Sequence, residues 1–165
     1  MRTKAIFFII IIVISTCMQS YAQFSPHNRK TGFGIILGEP LGLTLKTWTN
    51  NENAFVFDLG NSYFGDLRFD VDYLWHFNAF HSRIVNLYAG PGGVLGLGTG
   101  NGFWYKDKYH RTKNDVGIGA RGVFGVNVVP ERTPLEIFFE MGVLVGLAPD
   151  FGSSVDAALG MRFYP

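Results

Sequence analysis

The 165-residue chain carries 14 Lys and Arg against 13 Asp and Glu, for a net charge of +1, with 47% hydrophobic residues, 21 glycines and 16 phenylalanines. So apolar and aromatic a composition excludes a disordered chain, and so much glycine speaks against a helical domain, because glycine weakens helix interiors. Near-neutral charge excludes strong electrostatic attraction to nucleic acid.

Residues 1–22 read as a secretory signal peptide. Arg2 and Lys4 give a positive start, Ala5 to Ile14 is an unbroken apolar run of ten residues, and Ser20 and Ala22 place small side chains at the −3 and −1 positions before Gln23. Two alternatives stay open. An uncleaved anchor is disfavoured because ten apolar residues fall short of the roughly 20 that cross a bilayer as a helix. A lipoprotein is disfavoured because bulky Thr16 precedes Cys17. Cleavage before Gln23 leaves 143 residues with all 21 glycines, 12 basic and 13 acidic residues. Cys17 is the only cysteine, so the mature chain has no disulfide and no thiolate metal site. Residues 23–30 are expected to form a leader and 31–165 a single domain.

Beyond residue 22 the pattern is period two, the signature of strands. Thr31–Gly38 sets Phe33, Ile35 and Leu37 against small Gly32, Gly34 and Gly38. Leu41–Thr49 sets Leu41, Leu43 and Leu45 against Thr44 and Lys46, and Ala54–Gly60 sets Phe55, Phe57 and Leu59 against Asp58. Leu67–Phe77 is the clearest: Leu67, Phe69, Val71, Tyr73, Trp75 and Phe77 share one face, and Arg68, Asp70, Asp72, Leu74 and His76 the other. Arg83–Gly93 opposes Val85 and Leu87 to Asn86 and Tyr88. Asp115–Val129 opposes Val116, Ile118, Ala120, Phe124 and Val126 to Arg121 and Asn127. Leu135–Val145 opposes five apolar residues to Glu136 and Glu140, and Val155–Tyr164 opposes five to Asp156 and Arg162.

Eight such segments predict an all-β, eight-stranded antiparallel up-and-down barrel. The polar faces together hold Lys46, Arg68, Arg121 and Arg162 against Asp58, Asp70, Asp72, Glu136, Glu140 and Asp156. A soluble barrel hides apolar groups inside. Ten charges in a closed core would be costly unless they pair, and rows of Leu, Ile, Val and Phe set in water would invite aggregation. Apolar-out and polar-in resolves the difficulty if the surroundings are lipid. Closure also leaves no strand edge, as a bilayer requires. Buried charges must then pair within a lumen. With the N-terminus periplasmic, the inner turns are Asn50–Asn53, Asn78–Ser82 and Pro130–Pro134. The outer loops are Glu39-Pro40, Asn61–Asp66, Thr99–Asn114 and Ala148–Ser154, so that the longest connection lies outside. Trp75, Phe77, Phe80, Phe163 and Tyr164 are expected in an aromatic belt at the periplasmic rim, and Tyr63 and Phe64 near the outer rim.

Gly38-Glu39-Pro40-Leu41-Gly42-Leu43-Thr44-Leu45-Lys46-Thr47-Trp48, Tyr88-Ala89-Gly90-Pro91-Gly92-Gly93, Arg121-Gly122-Val123-Phe124-Gly125-Val126-Asn127, Leu135–Glu140 and the closing Gly160-Met161-Arg162-Phe163-Tyr164 follow in an order and spacing that resembles a known group. The chain is similar to the OmpA/OmpX-type eight-stranded outer-membrane barrels and, more closely, to an uncharacterised family of small bacterial outer-membrane β-barrel proteins. The resemblance covers nearly all of the mature chain and implies a membrane barrel with no catalytic residues to carry over. Such barrels end on an aromatic residue read by the assembly machinery; here Phe163 and Tyr164 are followed by Pro165, which donates no ladder bond.

Candidate chemistry meets plainer readings at each place. Asp70 and Asp72, about 6.6 Å apart along one strand face, have the composition of an acid–base pair, but a lumen network with Arg68, Arg121 and Arg162 accounts for them. Glu136 and Glu140, about 13 Å apart, bridge to arginines more naturally than they share a metal. His27, His76, His81 and His110 show no ligand spacing. His81-Ser82, adjacent on a turn, lacks the oriented third group of a hydrolase triad. Gly90 to Gly100 resembles a phosphate loop in composition alone. The segment Gly102–Asp115 is the best binding candidate. Phe103, Trp104, Tyr105 and Tyr109 stand among Lys106, Lys108, Arg111 and Lys113, suited to anionic sugars or phosphates outside the membrane; a solvated loop with interfacial aromatics is the plainer reading.

The sequence therefore predicts a monomeric outer-membrane barrel, exported by a cleaved signal peptide, with no catalytic site, cofactor or metal. Its partners are membrane lipid, the barrel-assembly machinery and an external ligand at the long outer loop, and its role is structural or surface-binding. The alternatives are a secreted lipocalin-like barrel that binds a small apolar ligand and an outer-membrane lipid-modifying enzyme.

Overall fold

The computed structural model describes residues 29–98, 116–130, 133–149 and 151–165. The expected signal peptide and most of the leader lie outside these residues. Eight strands follow in chain order: β1 (Thr31–Gly38), β2 (Leu41–Trp48), β3 (Asn53–Ser62), β4 (Gly65–Phe77), β5 (Val85–Leu97), β6 (Val116–Val128), β7 (Leu135–Ala148) and β8 (Gly152–Phe163). Each pairs antiparallel with the next, and β1 pairs with β8, which closes the barrel. No helix among the described residues is long and apolar enough to cross a membrane, which says nothing of strands.

Five strands, β3, β4, β5, β7 and β8, run further at one end or both than the local pattern predicts. β3 and β4 extend toward each other through a register shift between Gly60 and Ser62, so the expected loop Asn61–Asp66 shrinks to the two-residue turn Tyr63-Phe64. Asn, Ser, Gly and Asp read locally as turn formers, but cross-strand pairing holds them in the ladder. β5 continues through its glycines to Leu97, because Val94, Leu95 and Leu97 find partners on both β4 and β6. β8 begins at Gly152, opposite Gly146, which shortens the expected loop Ala148–Ser154.

The interior is stacked in apolar levels. Trp48, Ala54 and Tyr164 fill the end that holds the described termini. Ile36, Val56, Leu74, Tyr88, Val123, Phe138 and Ala158 fill the middle. Phe64, Val94 and Leu144 fill the far end. Large rings lie where the facing strand has no side chain: a Cβ on Gly160 would meet the Phe138 ring at 2.2 Å, and one on Gly125 the Tyr88 ring at 2.4 Å. An eight-stranded barrel has just enough interior to be filled in this way.

Candidate functional site

The alternation of β2, β3, β4, β6, β7 and β8 carries the charged side chains inward. Lys46, Asp58, Arg68, Asp70, Asp72, Arg121, Glu136, Glu140, Asp156 and Arg162 are all buried in the lumen, none more than 3% exposed. Of the Lys, Arg, Asp and Glu within the strands, only Asp66, at the start of β4, lies on the surface. Twenty-nine large hydrophobic side chains among the described residues are exposed instead, from Phe33 at 54% on β1 to Val155 at 63% on β8.

Around Glu136 one network ties five strands and the residue after the last. Lys46 Nζ donates to Glu136 Oε1 at 2.7 Å and Asn127 Nδ2 to the same oxygen at 2.8 Å. Arg162 Nη1 approaches it at 3.5 Å. The Tyr164 hydroxyl donates to Glu136 Oε2 and accepts from Trp48 Nε1 at 3.2 Å. Lys46 also lies 2.9 Å from His76 Nε2, while His76 Nδ1 lies 3.1 Å from the Glu52 carbonyl. A carbonyl only accepts, so the ring proton belongs on Nδ1 and Nε2 accepts from the ammonium. The same ammonium sits 4.3 Å from the centre of the Trp48 ring, a cation–π contact strengthened by desolvation.

A second network centres on two arginines. Arg68 Nε donates to Asp70 at 2.8 and 2.9 Å, Nη1 to Ser62 Oγ at 3.2 Å and Nη2 to Asp156 at 2.7 Å. Arg121 donates to Asp70 at 2.7 Å and to Glu140 at 2.9 Å, with Asp72 at 3.5 Å and Asp58 at 4.0 Å. Glu140 accepts from the Tyr88 hydroxyl at 3.0 Å. Asp70 and Asp72 therefore both face Arg121. Glu136 and Glu140 belong to different networks and share no ligand.

Two expected belt positions are corrected. Phe64, in the turn at the far end, points inward rather than into a belt: it is 1% exposed and packs with Val94 and Leu144 across the mouth. Tyr164 leaves the periplasmic belt and is wholly buried, because residues 156, 158, 160 and 162 all point inward and 164 continues the series. Tyr63 is part-buried rather than lipid-facing, its hydroxyl donating to Asp156. Burial and that carboxylate raise its phenol above the ordinary range. Trp75, Phe77, Phe80 and Phe163 do face outward. Asn86 and Tyr88, expected on the face opposite Val85 and Leu87, are buried in the lumen; Trp48 and Tyr164 are lumen residues that side-chain type alone did not mark, although strand parity identifies both.

The candidate loop residues Phe103, Trp104, Tyr105, Lys106, Lys108, Tyr109 and Arg111 lie outside the described residues, as do His27 and His110. His76 belongs to the Glu136 network, and His81 stands in the turn after β4 at a positive φ of 51°. Among the described residues no three His, Cys, Asp or Glu side chains are placed to hold a metal ion.

No protein-family model matches the chain, and no curated protein matches it. Among solved structures, it is similar to the N-terminal β-barrel domain of OprF from Pseudomonas aeruginosa, with a TM-score of 0.55 and 14% identity over 81% of this chain and 93% of that one. At that identity the likeness concerns the fold, and it agrees with the eight-stranded closed barrel seen here.

Proposed function

We propose that this chain is a small outer-membrane β-barrel protein, exported by its N-terminal signal, with a structural or surface-binding role and no catalytic site. One observation carries the reading. Within the strands the charged side chains point into the lumen, Asp66 at one rim apart, and the large apolar side chains point out. In water such a coat would aggregate; in lipid it is the stable arrangement, since the closed ladder satisfies the backbone internally. The stacked side chains of the lumen support a structural role over conduction, and a lumen layered with ion pairs gives no support to a soluble carrier of apolar ligands. Lipid is then the partner of the wall, the assembly machinery the partner during insertion, and residues 102–115 the region for an external ligand, with the barrel monomeric.

Cell fractionation with unboiled and boiled samples on a denaturing gel tests this. The expected result is recovery with the outer membrane and a heat-dependent change of mobility. Recovery in the soluble fraction with one mobility overturns it.

A further inference from the structure

The lumen is not electrically balanced. Among the described residues it holds six carboxylates, Asp58, Asp70, Asp72, Glu136, Glu140 and Asp156, against four cations, Lys46, Arg68, Arg121 and Arg162. The imbalance is also unevenly placed. Lys46 and Arg162 both turn to Glu136. Arg68 and Arg121 are left with the other five carboxylates.

Within that second group the shortfall falls on two residues. Asp70 and Glu140 take the short bonds of Arg121, leaving Asp72 and Asp58 at 3.5 and 4.0 Å. Both are 1% exposed. Neither Asp58 oxygen, nor Oδ1 of Asp72, has a hydrogen-bond donor among the described residues. The groups around them are Thr44 on β2, Asp70 on β4, Tyr88 on β5, Arg121 on β6, Glu140 on β7 and Arg162 on β8. Arg162 donates through Nε to Thr44 Oγ1 at 3.0 Å, while its Nη2, like Nε of Arg121, has no hydrogen-bond partner among the described residues and adds only longer-range attraction. A sealed carboxylate that lacks a donor on one or both oxygens, and shares a single arginine with three other acids, is costly enough to acquire a positive charge from solution.

We propose that Asp58 and Asp72 form a binding site for small monovalent positive charge, a proton or an alkali ion, inside the lumen. Burial and pairing inside the barrel define the site, whether or not lipid surrounds the wall.

The test uses the purified full-length protein and two measurements. Infrared spectroscopy reads the carbonyl stretch of protonated carboxyl groups. Thermal unfolding is compared in sodium, potassium and choline chloride at equal ionic strength and fixed pH. If protons fill the site, the folded wild type shows a protonated-carboxyl band that D58N and D72N each diminish. If an alkali ion fills it, the wild-type midpoint rises in sodium or potassium over choline, and D58N/D72N loses that response. A wild type with no such band and equal midpoints in the three salts overturns the proposal. So does D58N lowering the midpoint as far as D70N, because Asp70 is fully paired and Asp58 is not.

Discussion

Lys46 on β2 and Glu136 on β7 meet at 2.7 Å with both side chains fully buried, although 90 residues separate them. Glu136 is also the acceptor for Asn127 and Tyr164 and faces Arg162. Its removal therefore strands two cations at once. We predict that Glu136→Leu destabilises the barrel by about 3–5 kcal/mol, the usual cost of a buried charge that loses its partner. Adding Lys46→Met should recover part of that loss. Denaturant unfolding in detergent of the two single variants and the double gives the coupling; strictly additive effects would refute the pairing.

Val71 stands on the outward face of β4, between Phe57 of β3 and Gly93 of β5, near the middle of the wall. Val71→Lys should block insertion, with a cost of about 2–4 kcal/mol for a cation at mid-bilayer. The quantity to measure is the heat-modifiable fraction in isolated membranes. A wild-type fraction would mean that this wall does not face lipid.

The seam between β1 and β8 depends on glycine for close approach. A Cβ on Gly34 would lie 1.8 Å from the Met161 carbonyl oxygen, which is backbone and has nowhere to move, whereas one on Gly122 meets nothing within 4 Å. Gly34→Ala should cost about 1–3 kcal/mol through overpacking. Gly122→Ala should be neutral or stabilise by up to about 1 kcal/mol, since alanine narrows the unfolded ensemble. Equal unfolding midpoints for the two variants would contradict the seam geometry.

Tyr164 seals the end of the lumen from one residue beyond β8. Its hydroxyl bridges Trp48 and Glu136, its amide donates to the Pro134 carbonyl at 2.8 Å, and its own carbonyl accepts from Arg29. Tyr164→Phe should cost about 1–3 kcal/mol, because Trp48 loses its acceptor and Glu136 a donor in a dry site. Deleting exposed Pro165 should change stability by less than about 0.5 kcal/mol. Refolding yield and unfolding midpoint in detergent separate the two, and a large loss on deleting Pro165 would shift the sealing role from the ring to the chain end.

Sequence alone determined the strands, their number and the two-faced character of each. Alternation is a local property: with period two, Arg68, Asp70 and Asp72 must share one face and Phe69 and Val71 the other, whatever the partners. Local composition misled at the ends. Asn61 to Asp66 reads as a loop because its residues favour turns, yet pairing with neighbouring strands costs less than leaving those backbone groups free. Phe64 and Tyr164 read as rim aromatics by residue type, although parity sends both inward.

Tertiary structure alone decided who meets whom. Sequence placed four cations and six carboxylates on the inner faces, but not that Lys46 and Arg162 share Glu136 while Arg121 faces four acids. Those pairings depend on register around a closed ring, where a shift of one residue on any strand would turn its charges outward. The near-neutral charge of the chain thus acquires its meaning from closure. A near-neutral chain folds into a barrel whose lumen, among the described residues, is short of two positive charges, because pairing is settled by distance across the barrel and not by totals along the chain.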